Sequence, residues 1–318
     1  MAVELGFEGS VIEMDNQIKE LAALEAEGDV SFQLEIQNLT EKRDNLLKEI
    51  YNNLTPWQIV QVARHPKRPL FSDYIDGIFK GFIELHGDRN FGDDQSIIAG
   101  ICTLEEEKVF IIGHQRGRDM KDNVKRNFGM PKPEGYRKAL RVMKLAEKFN
   151  KPIITFIDTK GAYPGIEAEQ RGQSEAIARN LFEMSKLKVP IICVVIGEGG
   201  SGGALALGVG DRLLMLSYSM FSVISPEGCA TILWKDAGRA PEAANALRIT
   251  AQDLLSFGLI DESIEEPLGG AHRNPELMTQ TVKEILITQL KGLKRLSIKR
   301  LLDKRYEKFM GMGQMFKE

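Results

Sequence analysis

One stretch constrains the fold more than any other: residues 189–210, Val-Pro-Ile-Ile-Cys-Val-Val-Ile-Gly-Glu-Gly-Gly-Ser-Gly-Gly-Ala-Leu-Ala-Leu-Gly-Val-Gly. The run from Val189 to Ile196 is uncharged and rich in β-branched residues, the composition of a strand covered on both faces of a sheet. Gly197, Gly199, Gly200, Gly202 and Gly203 follow, and glycines allow positive φ values and bare backbone facing a ligand. The Ala/Leu segment after them opens a helix, whose first N–H groups have no intrahelical partner and suit an anion. Gly197, Gly199 and Gly202 also satisfy G-x-G-x-x-G, the dinucleotide fingerprint. That fingerprint needs a helix of about a dozen residues and an acidic residue about 20 positions on. Here only Ala204–Leu207 separate the cluster from Gly208, and the next strand, Leu213–Leu216, ends in Ser217. The pattern therefore favours an oxyanion hole over nucleotide binding, with close helix-to-strand packing as another use of the same glycines.

A strand buried on both faces needs a large core, and 318 residues with 43% apolar and 27% charged content are enough for one. The formal net charge of −3 disfavours a strongly basic nucleic-acid binder. The longest apolar run, Val189–Ile196, falls far short of the roughly 20 residues that cross a bilayer. The start, Met-Ala-Val-Glu-Leu-Gly-Phe-Glu, lacks a basic segment followed by an apolar one, so no secretory signal is expected and the protein is placed in the cytoplasm. Cys102, Cys193 and Cys229, like His65, His86, His114 and His272, are scattered without metal-ligand spacing.

Along the chain, residues 1–55 read as a helical hairpin: Met14, Ile18 and Leu21 repeat at helical spacing, Gly28-Asp29 interrupts, and Phe32, Ile36, Leu39, Leu46 and Ile50 resume it. That seam must bury itself against the main domain or another subunit. Residues 56–71, with three prolines and a basic cluster, read as an irregular linker. The main domain is expected over 72–274 and a mixed-charge helical tail over 275–318. Ile97–Leu104 and Val109–Ile112 form a hairpin. The loop from Gly113 to Gly129 carries Arg116, Lys125 and Arg126, which fit either a clamp for phosphate or carboxylate or a solvated basic face. Next come a strand over Lys151–Thr159, a long helix over Glu167–Leu187, and the glycine-rich unit. Strand-helix alternation implies parallel pairing, which brings loops 158–165 and 197–203 to one carboxyl edge.

Four blocks carry a resemblance to a known family: Asp158-Thr159-Lys160-Gly161-Ala162-Tyr163-Pro164-Gly165, Glu169 to Glu175, Gly197 to Ala204, and Ser222-Val223-Ile224-Ser225-Pro226-Glu227-Gly228. Together with Arg126–Met130, Pro133–Lys138 and Glu266–His272 they resemble the α subunits of bacterial acetyl-CoA carboxylase carboxyltransferases over nearly the whole chain. Lys160 stands where many members carry proline. The resemblance implies an α/β crotonase-like (ClpP/crotonase) fold with a ββα spiral core. It implies transfer of a carboxyl group from carboxybiotin, on a biotin carboxyl carrier protein, to acetyl-CoA, giving malonyl-CoA for fatty-acid synthesis. Implied partners are a zinc-ribbon β subunit in an α2β2 assembly and biotin carboxylase in the larger complex. The chain itself has no Met-Lys-Met biotinylation site and no zinc quartet. By the same resemblance, Gly202 and Gly203 are candidate donors to the biotin ureido oxygen, beside Gly161 and Ala162, with Gly199, Gly200, Tyr163 and Pro164 on the carboxybiotin side. Two other readings stand beside it: a scaffold that contributes no group to chemistry, and a self-sufficient enoyl-CoA hydratase or isomerase relying on Glu198 and Glu227.

Overall fold

The computed structural model describes residues 5–28 and 31–313, so Asp29 of the expected hairpin break, the first four residues and 314–318 of the tail lie outside it. The strands are β1 (Lys80–Glu84), β2 (Ile97–Leu104), β3 (Glu107–His114), β4 (Ile153–Thr159), β5 (Ile191–Gly200), β6 (Arg212–Leu216), β7 (Met220–Ser222) and β8 (Glu262–Ile264). The helices before β4 are α1 (Gly9–Glu27), α2 (Gln33–Asn52), α3 (Pro56–Ala63), α4 (Phe71–Ile78), α5 (Met120–Lys125) and α6 (Pro133–Lys148). After it come α7 (Ile166–Gln170), α8 (Gln173–Met184), α9 (Ser201–Leu205), α10 (Pro226–Trp234), α11 (Ala240–Leu247), α12 (Ala251–Ser256), α13 (Pro275–Leu293) and α14 (Ile298–Gly311).

The strands form one mixed sheet in the order β1-β2-β3-β4-β5-β6-β8, antiparallel through β3 and parallel from β3 onward, with β7 paired to the far half of β5. Every residue of β4 and β5 is buried, and their side chains alternate between two apolar layers. Ile154, Phe156, Ile192, Val194 and Ile196 pack with Phe71 and Tyr74 of α4 and with Met278, Val282 and Leu286 of α13. Ile153, Ile157, Ile191, Cys193 and Val195 face Ala139, Val142 and Met143 of α6, Ala204 of α9 and Leu254 of α12. The helix at 275–293 is therefore part of the core, not an appendage to it.

The hairpin α1–α2 forms as its seam requires and docks at its base on the main domain. Leu5, Val11, Leu47, Tyr51 and Val62 make one cluster with Tyr218, while Leu24 and Leu34 toward the other end stay exposed. Arg273 holds Asp15 of α1 at 2.9 Å and Glu8 at 3.1 Å. Two expectations fail. The stretch expected to be an irregular linker contains α3, started by Thr55, whose side chain accepts from the Gln58 N–H while Gln58 caps the Thr55 N–H in return, with Pro56 at the first helical position. The long helix expected over 167–187 breaks in two at Gly172, whose φ of +82° turns the chain between α7 and α8.

Two buried guanidinium groups tie segments together through carboxylates and backbone carbonyls: Arg68 binds Glu266 and donates to the Ile196 carbonyl of β5 at 2.9 Å, and Arg305 acts at the opposite end of that strand. Arg305 of α14 binds both oxygens of Asp211 at 2.8 and 2.7 Å and also donates to the carbonyls of Met184, Leu187 and Val189. Arg305→Ala leaves that buried carboxylate without its counter-ion, with only the Ile191 N–H still donating to it at 2.7 Å, and takes a donor from three carbonyls, so a loss of about 3–5 kcal/mol is expected, read as a lower urea midpoint in the purified chain.

At the hairpin base, the rings of His65 and His272 stack with centroids 3.8 Å apart. Burial, followed by the nearby charges of Lys67, Arg68 and Arg273, pushes His65 down to about 4; burial and the same neighbours push His272 down to about 3. Both lie below the ordinary 6.5, so the folded state binds fewer protons than the unfolded chain between those values. Their contribution is complete above about pH 6.5 and is lost as pH falls toward 4. Amide protection factors in α1 are expected to fall from pH 7 to pH 5, and the double variant His65→Asn, His272→Asn is expected to lose that pH dependence.

Candidate active site

The site begins with an irregularity in the sheet. Pairing of β4 with β5 slips in register between Ile157 and Thr159. The carboxylate of Asp158 at that slip is buried, accepts the Glu198 N–H at 2.9 Å, and lies 2.8 Å from Arg116 Nε. Beyond the slip β5 continues to Gly200 with β7 as its new lateral partner, through the pairs Glu198–Met220, Gly199–Phe221 and Gly200–Ser222.

The glycines are thus strand residues up to Gly200, not the loop expected from Gly197. None of Gly197, Gly199, Gly200, Gly202 or Gly203 has a positive φ; the residue that does is Ser201, at +50°. What these positions need is proximity. A Cβ on Gly197 would stand 2.4 Å from Asp158 Oδ1, one on Gly200 2.2 Å from the Lys160 carbonyl oxygen, and one on Gly203 2.7 Å from Gly161 C and 2.8 Å from Ala162 N. Gly202 has no atom nearer than Ile177 Cγ2 at 3.5 Å, and it faces the crevice.

Gly202 and Gly203 occupy the first turn of α9, where an N–H has no intrahelical acceptor, and among the described residues no other group accepts from them. The Gly161 N–H is different: the hydroxyl of Thr159 accepts it at 3.1 Å and donates to the Gly161 carbonyl at 2.8 Å. Gly161, at φ +145°, is a wall of the site rather than a donor. Beneath α9 lies His114 of β3, its ring against the backbone of Phe156 and Gly203 with neither nitrogen in straight hydrogen-bond geometry. Burial pushes it down to about 3, so it is a neutral floor.

These elements enclose a crevice of about 600 Å³. Gly161, Ala162, Gly200, Gly202 and Gly203 line one side, and Ile177, Met220 and Ile224 supply apolar surface. Arg64, at the end of α3, closes the opposite side by bridging Glu198 at 2.8 Å and Glu227 at 2.5 Å. Burial raises the Glu227 carboxyl, but the hydrogen bond and charge of Arg64, with a backbone hydrogen bond and the more distant Lys160 charge, together hold the group below the usual range.

The other sequence-selected residues stand outside this lining. Gly199 is a strand pair of Thr159 and Phe221. Tyr163 donates its N–H to the Pro131 carbonyl at 3.0 Å, its ring lies 4.9 Å from the Lys132 ammonium, and Pro164 continues the same loop. Arg116 is spent on Asp158, and Arg126 on Asp122 and the Gln95 carbonyl, both at 2.9 Å. Lys125 is exposed without an ion pair among the described residues. Arg64 was missed because it sat in the presumed linker; Thr55-Pro56-Trp57-Gln58, a capping-box sequence with proline at the first helical position, was the signal for its helix.

The family model for acetyl co-enzyme A carboxylase carboxyltransferase-like proteins matches residues 4–313. The chain is 58% identical over 314 residues to the acetyl-coenzyme A carboxylase carboxyl transferase subunit alpha of Nitrosospira multiformis, covering 99% of this chain and 97% of that protein. It is likewise 58% identical over 312 residues to the protein of that name from Bacillus cytotoxicus, covering 98% and 96%. The chain belongs to the acetyl-CoA carboxylase carboxyltransferase α-subunit family.

Solved structures agree on the fold. Transcarboxylase 12S superposes with a TM-score of 0.53 at 20% identity over 65% of this chain and 40% of its own. The β subunit of Pseudomonas aeruginosa geranyl-CoA carboxylase superposes with 0.56 at 17% identity over 79% and 46%. The fold is the crotonase-like one expected, and one side of the crevice in this α-subunit chain is glycine backbone. Gly203→Val would drive the two loops apart and misplace the amides. Transfer by the assembled enzyme is expected to fall a hundred- to thousandfold, roughly 3–4 kcal/mol in the barrier as for loss of an oxyanion donor, with assembly unchanged by size measurement.

Proposed function

We propose that this chain supplies the carboxybiotin side of an acetyl-CoA carboxylase carboxyltransferase, acting in the cytoplasm with a zinc-ribbon β subunit as α2β2. Its donor is carboxybiotin on a biotin carboxyl carrier protein charged by biotin carboxylase, its acceptor acetyl-CoA, and its product malonyl-CoA, the first committed intermediate of fatty-acid synthesis. The observation that carries this reading is the pair of unengaged amides at Gly202 and Gly203, lining a crevice where the Gly161–Ala162 backbone leaves no room for a Cβ on Gly203.

The crevice suits a bicyclic ureido ring: backbone donors at one edge, apolar contacts from Ile177, Met220 and Ile224, and a volume of about 600 Å³. When bound, carboxybiotin would supply the carboxyl group and, in the ring nitrogen left by its departure, a base for the acetyl-CoA methyl proton. The N–H groups of Gly202 and Gly203 receive the negative charge that grows on the ureido oxygen, and they are worth most in a water-poor crevice because they need not reorient. Ala162 and Ile177 hold the ring plane and exclude water. Arg64 keeps Glu198 and Glu227 paired in the crevice wall.

A hydratase needs a free acid and base, and both nearby carboxylates are bound to one arginine. The test is co-expression with a β chain. The complex is expected at the size of two α and two β chains and should exchange carboxyl groups between malonyl-CoA and free biotin, while the α chain alone does not. Hydration of enoyl-CoA by the α chain alone, or an assembled complex inert toward biotin, would refute the reading.

A further inference from the structure

We propose that Lys160 is a positioning residue that pairs its ammonium with the carboxylate in transfer, beside the wall formed by Gly161 and Gly203; this rests on the carboxyltransferase reading above. Lys160 is the first residue beyond β4. Its backbone is fixed, because its carbonyl presses on Gly200 so closely that a Cβ there would stand 2.2 Å away. Its side chain is exposed and lines the crevice.

The charge inventory makes this lysine distinct. The ionisable side chains lining the crevice are Arg64, Lys160, Glu198 and Glu227. Arg64 is consumed by both carboxylates. The Lys160 ammonium has no carboxylate within 4.0 Å among the described residues, and it influences Glu227 only through space. A carboxylate arriving in the crevice meets two fixed negative groups, and the Gly202 and Gly203 amides are directed at the ring oxygen. Where many members of the family carry proline, this chain adds a free cation to a crevice whose two carboxylates share one arginine. A lysine on a four-carbon stem can follow that group between donor and acceptor, which a bidentate arginine held by two partners cannot.

Malonyl-CoA and acetyl-CoA differ by this carboxylate alone, so their dissociation constants from the assembled α2β2 complex isolate its recognition without turnover. Wild type is expected to prefer malonyl-CoA. Lys160→Met is expected to cut that preference about fivefold, the scale of a partly exposed ion pair, leaving acetyl-CoA affinity unchanged, and Lys160→Arg to restore most of it. In carboxyl exchange, Lys160→Met should raise the KM for malonyl-CoA and leave the KM for biotin methyl ester unaltered. An unchanged preference in Lys160→Met overturns the proposal. So does an equal loss of affinity for both thioesters, which would mean contact with the phosphates of CoA instead. A wild-type complex that exchanges no carboxyl group shows separately that the underlying reading is wrong, and removes this one with it.

Discussion

Gly200 and Gly203 lie against Lys160, Gly161 and Ala162 backbone to backbone, and the rest of the site depends on that contact. Side chains at these glycines would occupy the space of the opposing peptide units, at 2.2 Å for Gly200 and 2.7 Å for Gly203. Interiors do not deform to absorb such overlaps cheaply. The contact in turn depends on parallel pairing of β4 with β5, since only that pairing delivers both chain segments to the same edge. The amide directions are thus set by sheet register and by a short helix start, not by rotatable side chains. That rigidity is what a site needs when it must meet a charge appearing in the transition state.

The register slip at Asp158 is held electrostatically. Its carboxylate, buried between the Glu198 N–H and Arg116, takes up the polar groups left over where β4 and β5 fall out of step. Such buried pairs add little net stability, but losing one partner is expensive, so they specify geometry more than they strengthen it. Arg64 extends the same logic across the crevice. It reaches Glu198 and Glu227 from the end of α3, and α3 packs through Val60 and Ala63 onto Met220. The N-terminal segment is thereby connected to the site, since Val62 of the same helix joins the cluster at the base of the hairpin.

The sequence was legible where one physical demand dominated a stretch. Buried strands at 153–157 and 191–196 announce themselves by uncharged runs rich in β-branched residues, and alternation with helices gave the shared carboxyl edge. The family blocks led to Gly161, Ala162, Gly200, Gly202 and Gly203, and all of them line the crevice. What failed was local conformation. Glycine at 197 to 203 was read as freedom in φ when its use is closeness, and the positive φ fell on Ser201. Proline at 56 was read as a breaker although at a first helical position it is favourable. Gly172 ended a helix that the surrounding residues would have continued. The cations of the 113–129 loop illustrate a deeper limit: charge in a sequence does not say who will neutralise it, and Arg116 went to Asp158 rather than to a ligand.

The charge pairing around the crevice also limits what reaction it can run. Proton transfer by the enzyme needs a side chain that can hold and release a proton at neutral pH with its lone pair directed at the substrate. Glu227 is kept below the usual carboxylate range by Arg64, Glu198 shares that arginine, and His114 lies buried under α9 with its pKa near 3. The groups that do face the crevice without a partner among the described residues are backbone N–H donors, the Ser201 hydroxyl and one lysine cation, none of which is a base at neutral pH. Donors and a cation stabilise negative charge but do not remove a proton. A reaction in this crevice must therefore bring its own base, and a donor whose departing nitrogen becomes basic as it gives up a carboxyl group meets that requirement. The architecture and the proposed chemistry thus constrain each other: a crevice without a free side-chain base suits a reaction whose donor would supply the base itself.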